Sequence, residues 1–313
     1  MKSIATLAAA GLAVCVQLCV NAAGHDEHFG PWQTAQSVDP GRTNGVNTPK
    51  NDGCPIEAPN HHRLFFASDR GGTLDLYAAN REDGQWILGE KLPSPVNTDN
   101  ANEFCPTPLT GNRLLFVSTR ANNCGGAGNN ADIYYTRLDP DTGEWLQPQP
   151  LSCQINSGGE EFSPSLFEAH GRTFLYFSSN RDTGIAGRHK IYASEFQPDG
   201  TWSLALPVAE LNSDLAHSDA RPNVRKDGLE IVFDSTRAGG GPQIYRATRS
   251  SVFEPWDNVE LLDHNVNVGA SQTRPTISRD GKRLYFGTTA ANQPGDTGSD
   301  IYVSVRSHEG NDK

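Results

Sequence analysis

Acidic side chains recur at one position of this sequence, three residues before a repeated proline. They are Asp52, Glu103, Glu161 and Asp219, and the fifth copy of the position holds the neutral Gln272. Carboxylates that converge on one site can donate and accept protons, which is the chemistry that cleaves a glycosidic bond. Asp52, Glu103 and Glu161 are therefore candidates for the base, modulator and acid of a carbohydrate-cleaving site.

A second recurring position favours a structural role for the same carboxylates. An arginine follows an apolar run in four copies, each time two residues after a serine: Arg70, Arg120, Arg181 and Arg237. An arginine can bind a carboxylate through two parallel charge-assisted hydrogen bonds. Since an active site seldom needs one group five times, we expect most of these carboxylates to pair with arginines.

Departures from the repeat are more informative than the repeat itself. Immediately before the proline stand Cys54, Cys105 and Ser163 in the first three copies, but Arg221 and Arg274 in the last two. A basic sector beside an acidic one could orient an anionic or zwitterionic group, unless the arginines simply pair with neighbouring acids. The candidate ligand-binding residues are Glu103, Glu161, Asp219, Arg221, Gln272 and Arg274.

These positions belong to a unit that occurs five times. Its prolines are Pro55, Pro106, Pro164, Pro222 and Pro275, and each unit also contains a turn, an apolar run and an Ile-Tyr or similar step. Units of this length with several short strands are typical of β-propeller blades. The sequence therefore predicts an all-β, five-bladed propeller of four-stranded antiparallel blades, with small ligands bound at one loop face.

The tryptophans predict how the ring closes. All five lie in one column of the repeat, but Trp32 precedes the first complete unit and no tryptophan follows the last unit. An N-terminal strand carrying Trp32 can therefore supply the missing outer strand of the last blade. Such closure removes an exposed sheet edge.

The repeat resembles the TolB-type, WD-repeat-like propeller family. The resemblance rests on the proline, the Asp-Gly turn, the apolar strand, the Ser-x-Arg step and Asp-Ile-Tyr, as in Asp300-Ile301-Tyr302, and it covers nearly the whole chain. Lys190 and Gln243 replace the aspartate of Asp-Ile-Tyr in two copies. Membership would imply a periplasmic or secreted scaffold that binds proteins or peptidoglycan-associated partners.

The N-terminus predicts export. Residues 1–22 have the charged start, apolar run and small-residue end of a signal peptide, whereas a lipoprotein would need a better-placed cysteine. We expect a polar leader over 23–31, the propeller over 32–306 and a tail over 307–313, in a secreted or periplasmic protein. The formal net charge of −11 argues against nucleic acid or an anionic membrane as partner.

Four cysteines lie beyond the predicted signal peptide. An even number in an exported chain indicates two disulfides, with zinc as the rival. Among three possible pairings we prefer Cys54 with Cys105 and Cys124 with Cys153. Cleavage after Ala22 would also place His25 third from a free amine, a set of ligands that suits Cu(II).

From these observations we expect a non-catalytic propeller that binds a protein, peptide or glycan at its loop face. The alternative is a secreted hydrolase or polysaccharide lyase that uses carboxylates at the tunnel mouth. No cofactor is expected, because no phosphate-binding or dinucleotide motif is present.

Overall fold

The chain folds into five four-stranded antiparallel sheets arranged as a propeller, which confirms the predicted fold class. The structure, a computed structural model, describes residues 29–122, 124–125, 130–290, 296 and 298–308. The predicted signal peptide and His25 lie outside these residues. In the described part of the chain, no helix is long and apolar enough to cross a membrane.

The strands are numbered along the chain, and the first, β1 (Gln36–Ser37), belongs to the last blade. The strands of blade 1 are β2 (Asp52–Glu57), β3 (Arg63–Ser68), β4 (Asp75–Glu82) and β5 (Gln85–Lys91). Those of blade 2 are β6 (Glu103–Leu109), β7 (Arg113–Ser118), β8 (Asp132–Arg137) and β9 (Gln149–Pro150). Those of blade 3 are β10 (Glu161–Ala169), β11 (Arg172–Ser179), β12 (Lys190–Phe196) and β13 (Leu206–Pro207).

The last two blades follow the same order. The strands of blade 4 are β14 (Asp219–Val224), β15 (Glu230–Ser235), β16 (Gln243–Thr248) and β17 (Asp257–Leu261). Blade 5 contains β18 (Gln272–Ile277), β19 (Arg283–Thr288), β20 (Asp300–Val305) and β1. The second strand of every blade is buried on both sides because it lies between neighbouring sheets. Its central phenylalanines are fully buried at Phe66, Phe116, Phe177, Phe233 and Phe286.

The N-terminal strand closes the ring as predicted. β1 pairs antiparallel with β20, with Gln36 opposite Val303 and Ser37 opposite Tyr302. Trp32 is 6% exposed and packs in the core of the last blades. The final sheet thereby gains its outer strand and loses a free edge.

A bulge interrupts the innermost strand of each blade just before its proline. Proline has no N–H to donate, so the ladder to the second strand is broken there. The preceding residue takes a positive φ, between 46° and 59° across the five blades. The bulge re-aims this side chain, and all five residues line the central tunnel: Cys54, Cys105, Ser163, Arg221 and Arg274.

Both preferred disulfides are present. Cys54 and Cys105 join the innermost strands of blades 1 and 2, with Cα atoms 4.8 Å apart. Cys124 and Cys153 join two loops of blade 2, with Cα atoms 5.1 Å apart. Two such bridges are expected of a protein that functions in an oxidising compartment outside the cytosol.

Candidate functional site

The recurring carboxylates lie on the loop face, buried beneath its surface. Glu103 is 0% exposed and accepts hydrogen bonds from Ser118 Oγ (2.8 Å), Arg120 Nη2 (3.0 Å) and Thr98 Oγ1 (3.1 Å). The same cluster recurs in three other blades. The salt bridges are Asp52 to Arg70 (2.6 Å), Glu161 to Arg181 (3.2 Å) and Asp219 to Arg237 (2.5 Å).

Each arginine of these clusters is held on several sides. Arg120 donates from Nε to Ser118 Oγ (2.9 Å) and from Nη2 to the Val96 carbonyl (2.6 Å). Its guanidinium also lies 5.3 Å from the ring centre of Tyr134. Buried ions paired and hydrogen-bonded in this way position the loops. Asp52, Glu103 and Glu161 therefore present no open carboxylate to a substrate, and we assign no catalytic step to them.

Blade 5 lacks both charges of the cluster. Gln272 donates from Nε2 to Thr288 Oγ1 (3.1 Å), and its buried Oε1 has no partner among the described residues. The neutral side chain suits this position because an arginine is missing from the blade. Gln272 is thus the uncharged equivalent of the four carboxylates.

The contacts between blades differ in charge. Lys190, at the start of β12, lies 2.8 Å from Asp219 of the next blade. Burial pushes the pKa of Asp219 up, but hydrogen bonds from Lys190, Ser213, Ser235 and Arg237 outweigh it and lower the pKa to about 2. The buried negative charge of Asp219 is therefore well neutralised at this contact.

The equivalent contact between blades 2 and 3 places two carboxylates together. Asp132, 3% exposed, starts β8 beside Glu161, and its Oδ1 has no hydrogen-bond partner in the described part of the chain. Burial and the charge of Glu161 raise the pKa of Asp132 to about 7. The equivalent acids of blades 1 and 5, Asp75 and Asp300, pair with Lys91 and Arg42, whereas no cation pairs with Asp132 in the described structure.

A ring of backbone hydrogen bonds surrounds the tunnel at the loop face, and we call it the collar. In each blade, the backbone N–H of the residue that directly follows the second strand donates to the carbonyl of the residue just before the innermost strand. The pairs are Asp69–Asn51, Thr119–Asn102, Asn180–Glu160, Thr236–Ser218 and Thr289–Ser271. Only Asp69 and Glu160 of these ten residues carry carboxylates.

Glu160 is the open carboxylate of blade 3. Its side chain is 34% exposed, with Oε2 3.2 Å from His189 Nε2 and 3.1 Å from Asn180 Nδ2. Burial and the neighbouring Glu161 raise the pKa of Glu160. The protonated, donating form is thereby populated at higher pH than for an ordinary glutamate.

His189 lies behind this carboxylate, in the interior of the protein. The imidazole stacks on Phe162 with ring centres 4.5 Å apart and is almost fully buried. Burial and the nearby charge of Arg221 lower the pKa of His189 to about 4. A neutral imidazole leaves Glu160 without the cationic partner that would hold it ionised.

Arg221 and Arg274 occupy the tunnel mouth, and we call them the axial pair. Arg221 Nη1 lies 2.6 Å from Asp234 Oδ1. Asp234 Oδ2 accepts only from the backbone N–H of Arg274 (2.9 Å), whose guanidinium forms no salt bridge with any described residue. Below them, the disulfide and the prolines narrow the tunnel to about 20 Å³, room for about one water. A ligand can thus enter the mouth but not pass through.

The sequence predicted the axial pair but missed Glu160 and His189. Both sit in columns whose other members differ: Asn51, Asn102, Ser218 and Ser271 for Glu160, and Leu74, Ala131, Pro242 and Ser299 for His189. A comparison of these columns for the one chemically distinct member would have found them. No group of three potential metal-binding side chains occurs among the described residues.

In sequence, the chain matches no protein-family model and no curated protein. Solved structures do match its shape. The GH62 α-L-arabinofuranosidase catalytic domain of Coprinopsis cinerea aligns with a TM-score of 0.58 at 10% identity, over 89% of this chain and 97% of that one. An α-L-arabinofuranosidase of Podospora anserina, solved with cellotriose, gives 0.56 at 12% identity over 89% and 98%.

A TolB structure from Acinetobacter baumannii aligns with a TM-score of 0.45 at 16% identity, over 81% of this chain and 53% of that one. At that score the alignment does not carry the TolB-type assignment. Of what the sequence resemblance implied, the propeller fold is confirmed.

The expectation of a non-catalytic scaffold is corrected by the comparisons. The two neighbours with TM-scores of 0.56 and 0.58 are glycosidases, so the comparisons favour the enzyme alternative over the scaffold. At 10–12% identity the likeness itself establishes only the shared fold.

Proposed function

We propose that this protein is a secreted or periplasmic glycoside hydrolase that binds its glycan across the collar and the tunnel mouth. The observation that carries the proposal is Glu160, a partly exposed carboxylate of the collar whose pKa is raised. The glycosidase neighbours of the same shape support the reaction class.

In this proposal Glu160 is the general acid. Hydrolysis requires a proton on the leaving glycosidic oxygen as the C–O bond breaks. A carboxyl whose pKa is raised by burial retains that proton closer to neutral pH. Asn180 Nδ2 donates a hydrogen bond that orients the carboxyl group, and the exposed third of the side chain is the part that reaches a sugar.

Asp69 is the proposed second carboxylate. It lies in the collar of blade 1 and is partly exposed. Its Oδ1 accepts a hydrogen bond from the backbone N–H of Asn51 (2.9 Å), and no arginine pairs with it in the described structure. In the proposed reaction Asp69 accepts a proton from the attacking water while Glu160 protonates the leaving group.

Hydrolysis is favoured over the lyase alternative. Elimination needs a base that reaches a carbon-bound proton of the sugar. The one neutral imidazole near the axial pair, His189, is 2% exposed and lies behind Glu160. A substrate at the collar therefore meets Glu160 first.

The test is an assay for released reducing ends on a panel of arabinans, arabinoxylans and pectic glycans. The wild-type protein is expected to cleave at least one of them, and Glu160→Gln to lower kcat by about 100-fold or more. Glu168→Gln is the matched control because Glu168 is exposed near the far end of β10, the strand that Glu160 directly precedes. The proposal fails if no glycan is cleaved, or if Glu160→Gln retains the activity of the control.

A further inference from the structure

The axial pair brings more positive charge to the tunnel mouth than the described structure neutralises there. Two guanidinium groups share one carboxylate, Asp234, and only Arg221 forms a salt bridge with it. Arg274 contacts that carboxylate through its backbone N–H instead. The group therefore carries a net charge of about +1 in a poorly solvated place.

Arg274 also has a hydrogen-bond donor that no described residue uses. Its Nε is buried and has no hydrogen-bond partner among the described residues, and its Nη1 lies 3.1 Å from the place that a Cβ on Gly53 would occupy. The guanidinium thus extends across the axis from blade 5 to blade 1, where the glycine leaves room for it. An unsatisfied buried donor destabilises the folded protein, so a ligand that accepts from it is favoured.

The pKa of Arg274 agrees with this geometry. Burial and the like charge of Arg221 lower it to about 10, against the attraction of Asp234. A cation destabilised in this way is stabilised by any anion that binds beside it. The four arginines of the carboxylate clusters already have such an anion.

We propose that the axial pair binds the carboxylate of an acidic sugar, so that the natural substrate is a uronate-containing glycan. This inference rests on the proposed function, since it names the substrate class of the same site. One carboxylate neutralises one excess charge, and its planar shape fits the planar face of a guanidinium. The constriction of about 20 Å³ that the pair lines holds about one water, so the sugar ring stays outside the tunnel.

The test is calorimetric binding of trigalacturonate to the full Glu160→Gln protein, so that turnover does not interfere. We expect binding that is lost when the carboxylates of the probe are methyl-esterified. Arg274→Met should weaken binding by about tenfold or more, because charge-assisted hydrogen bonds are lost. Arg279→Met, exposed five residues along the same blade, should leave the affinity unchanged.

The outcomes separate this inference from the proposed hydrolysis. Binding that depends on Arg274, with no cleavage by wild-type protein, sustains the anion site and overturns the hydrolase. Cleavage of neutral glycans that is indifferent to Arg274→Met sustains the hydrolase and overturns the uronate. Equal affinity for the acid and its ester, or no binding of trigalacturonate, also overturns the anion site. A circular dichroism melt of each variant confirms that it is folded.

Discussion

The molecule contains two kinds of arginine on its loop face. Arg70, Arg120, Arg181 and Arg237 each meet a buried carboxylate of their own blade. In the axial pair, two arginines meet one carboxylate, and Arg274 forms no salt bridge within the described structure. Matched charges hold loops in place, whereas an unmatched charge is available to a ligand. The difference indicates which arginines serve the fold and which serve the site.

The largest expected effect is a loss of stability when a paired arginine is removed. Without that loss, the distinction between the two kinds of arginine would fail. Arg120→Met should lower the free energy of unfolding by about 3 kcal/mol, because Glu103 is left buried and unpaired. Arg274→Met should change it by less than about 1 kcal/mol, because no salt bridge is lost. Urea unfolding with the disulfides intact measures both. Similar losses in the two variants would contradict the distinction.

A substitution in blade 5 tests the same distinction by adding a carboxylate instead of removing an arginine. Gln272→Glu restores the repeated carboxylate in a blade that lacks its arginine, and should destabilise the protein by about 2 kcal/mol at pH 7. A buried carboxylate without a cation has a raised pKa, so the loss appears as pH rises and disappears in acid. Gln149→Glu, at an exposed position, is the control. A variant as stable as wild type at pH 7 would show that the arginine is dispensable.

The two interfaces of blade 3 should respond to pH with opposite signs. Because the folded pKa of Asp132 is raised to about 7, its ionisation opposes folding as pH climbs from about 4 to 7 and beyond. Asp132→Asn should therefore stabilise the protein by about 1–2 kcal/mol at pH 8 and by almost nothing at pH 4. Unfolding curves at both pH values measure this.

The Asp219 contact shows the reverse dependence. Its folded pKa of about 2 contributes stability above the ordinary pKa of 3.8, and this stability is lost as pH falls toward 2. Lys190→Met should remove about 1 kcal/mol at pH 7 and less at pH 2, because Arg237 still pairs with Asp219. A loss that grew in acid would contradict the assigned sign.

The sequence predicted the parts of the molecule that are repeated. Five prolines and five tryptophans determine the blade count and the closure by β1, because identical units bury equivalent surfaces. The positive φ at Arg221 and Arg274 could not be predicted, since the residue before a proline ordinarily stays extended. That bulge is what turns the axial pair into the tunnel.

The candidate site was only half predicted, for a related reason. The columns that attract notice share a residue type, and Glu160 and His189 stand beside them in columns that do not. Their proximity depends on the first and third strands of blade 3 starting at the same edge of the sheet, which only the fold determines. The recurring carboxylates suggested a site because they are repeated in four blades. Their repetition instead reflects a structural role.

The most direct test is a crystal structure of the Glu160→Gln variant with trigalacturonate. We expect the ligand across the collar, with a carboxylate on the Arg274 guanidinium and a glycosidic oxygen beside residue 160. A ligand bound instead in the cleft on the opposite face, which is lined by Arg246, Arg249 and Trp256, would contradict this account.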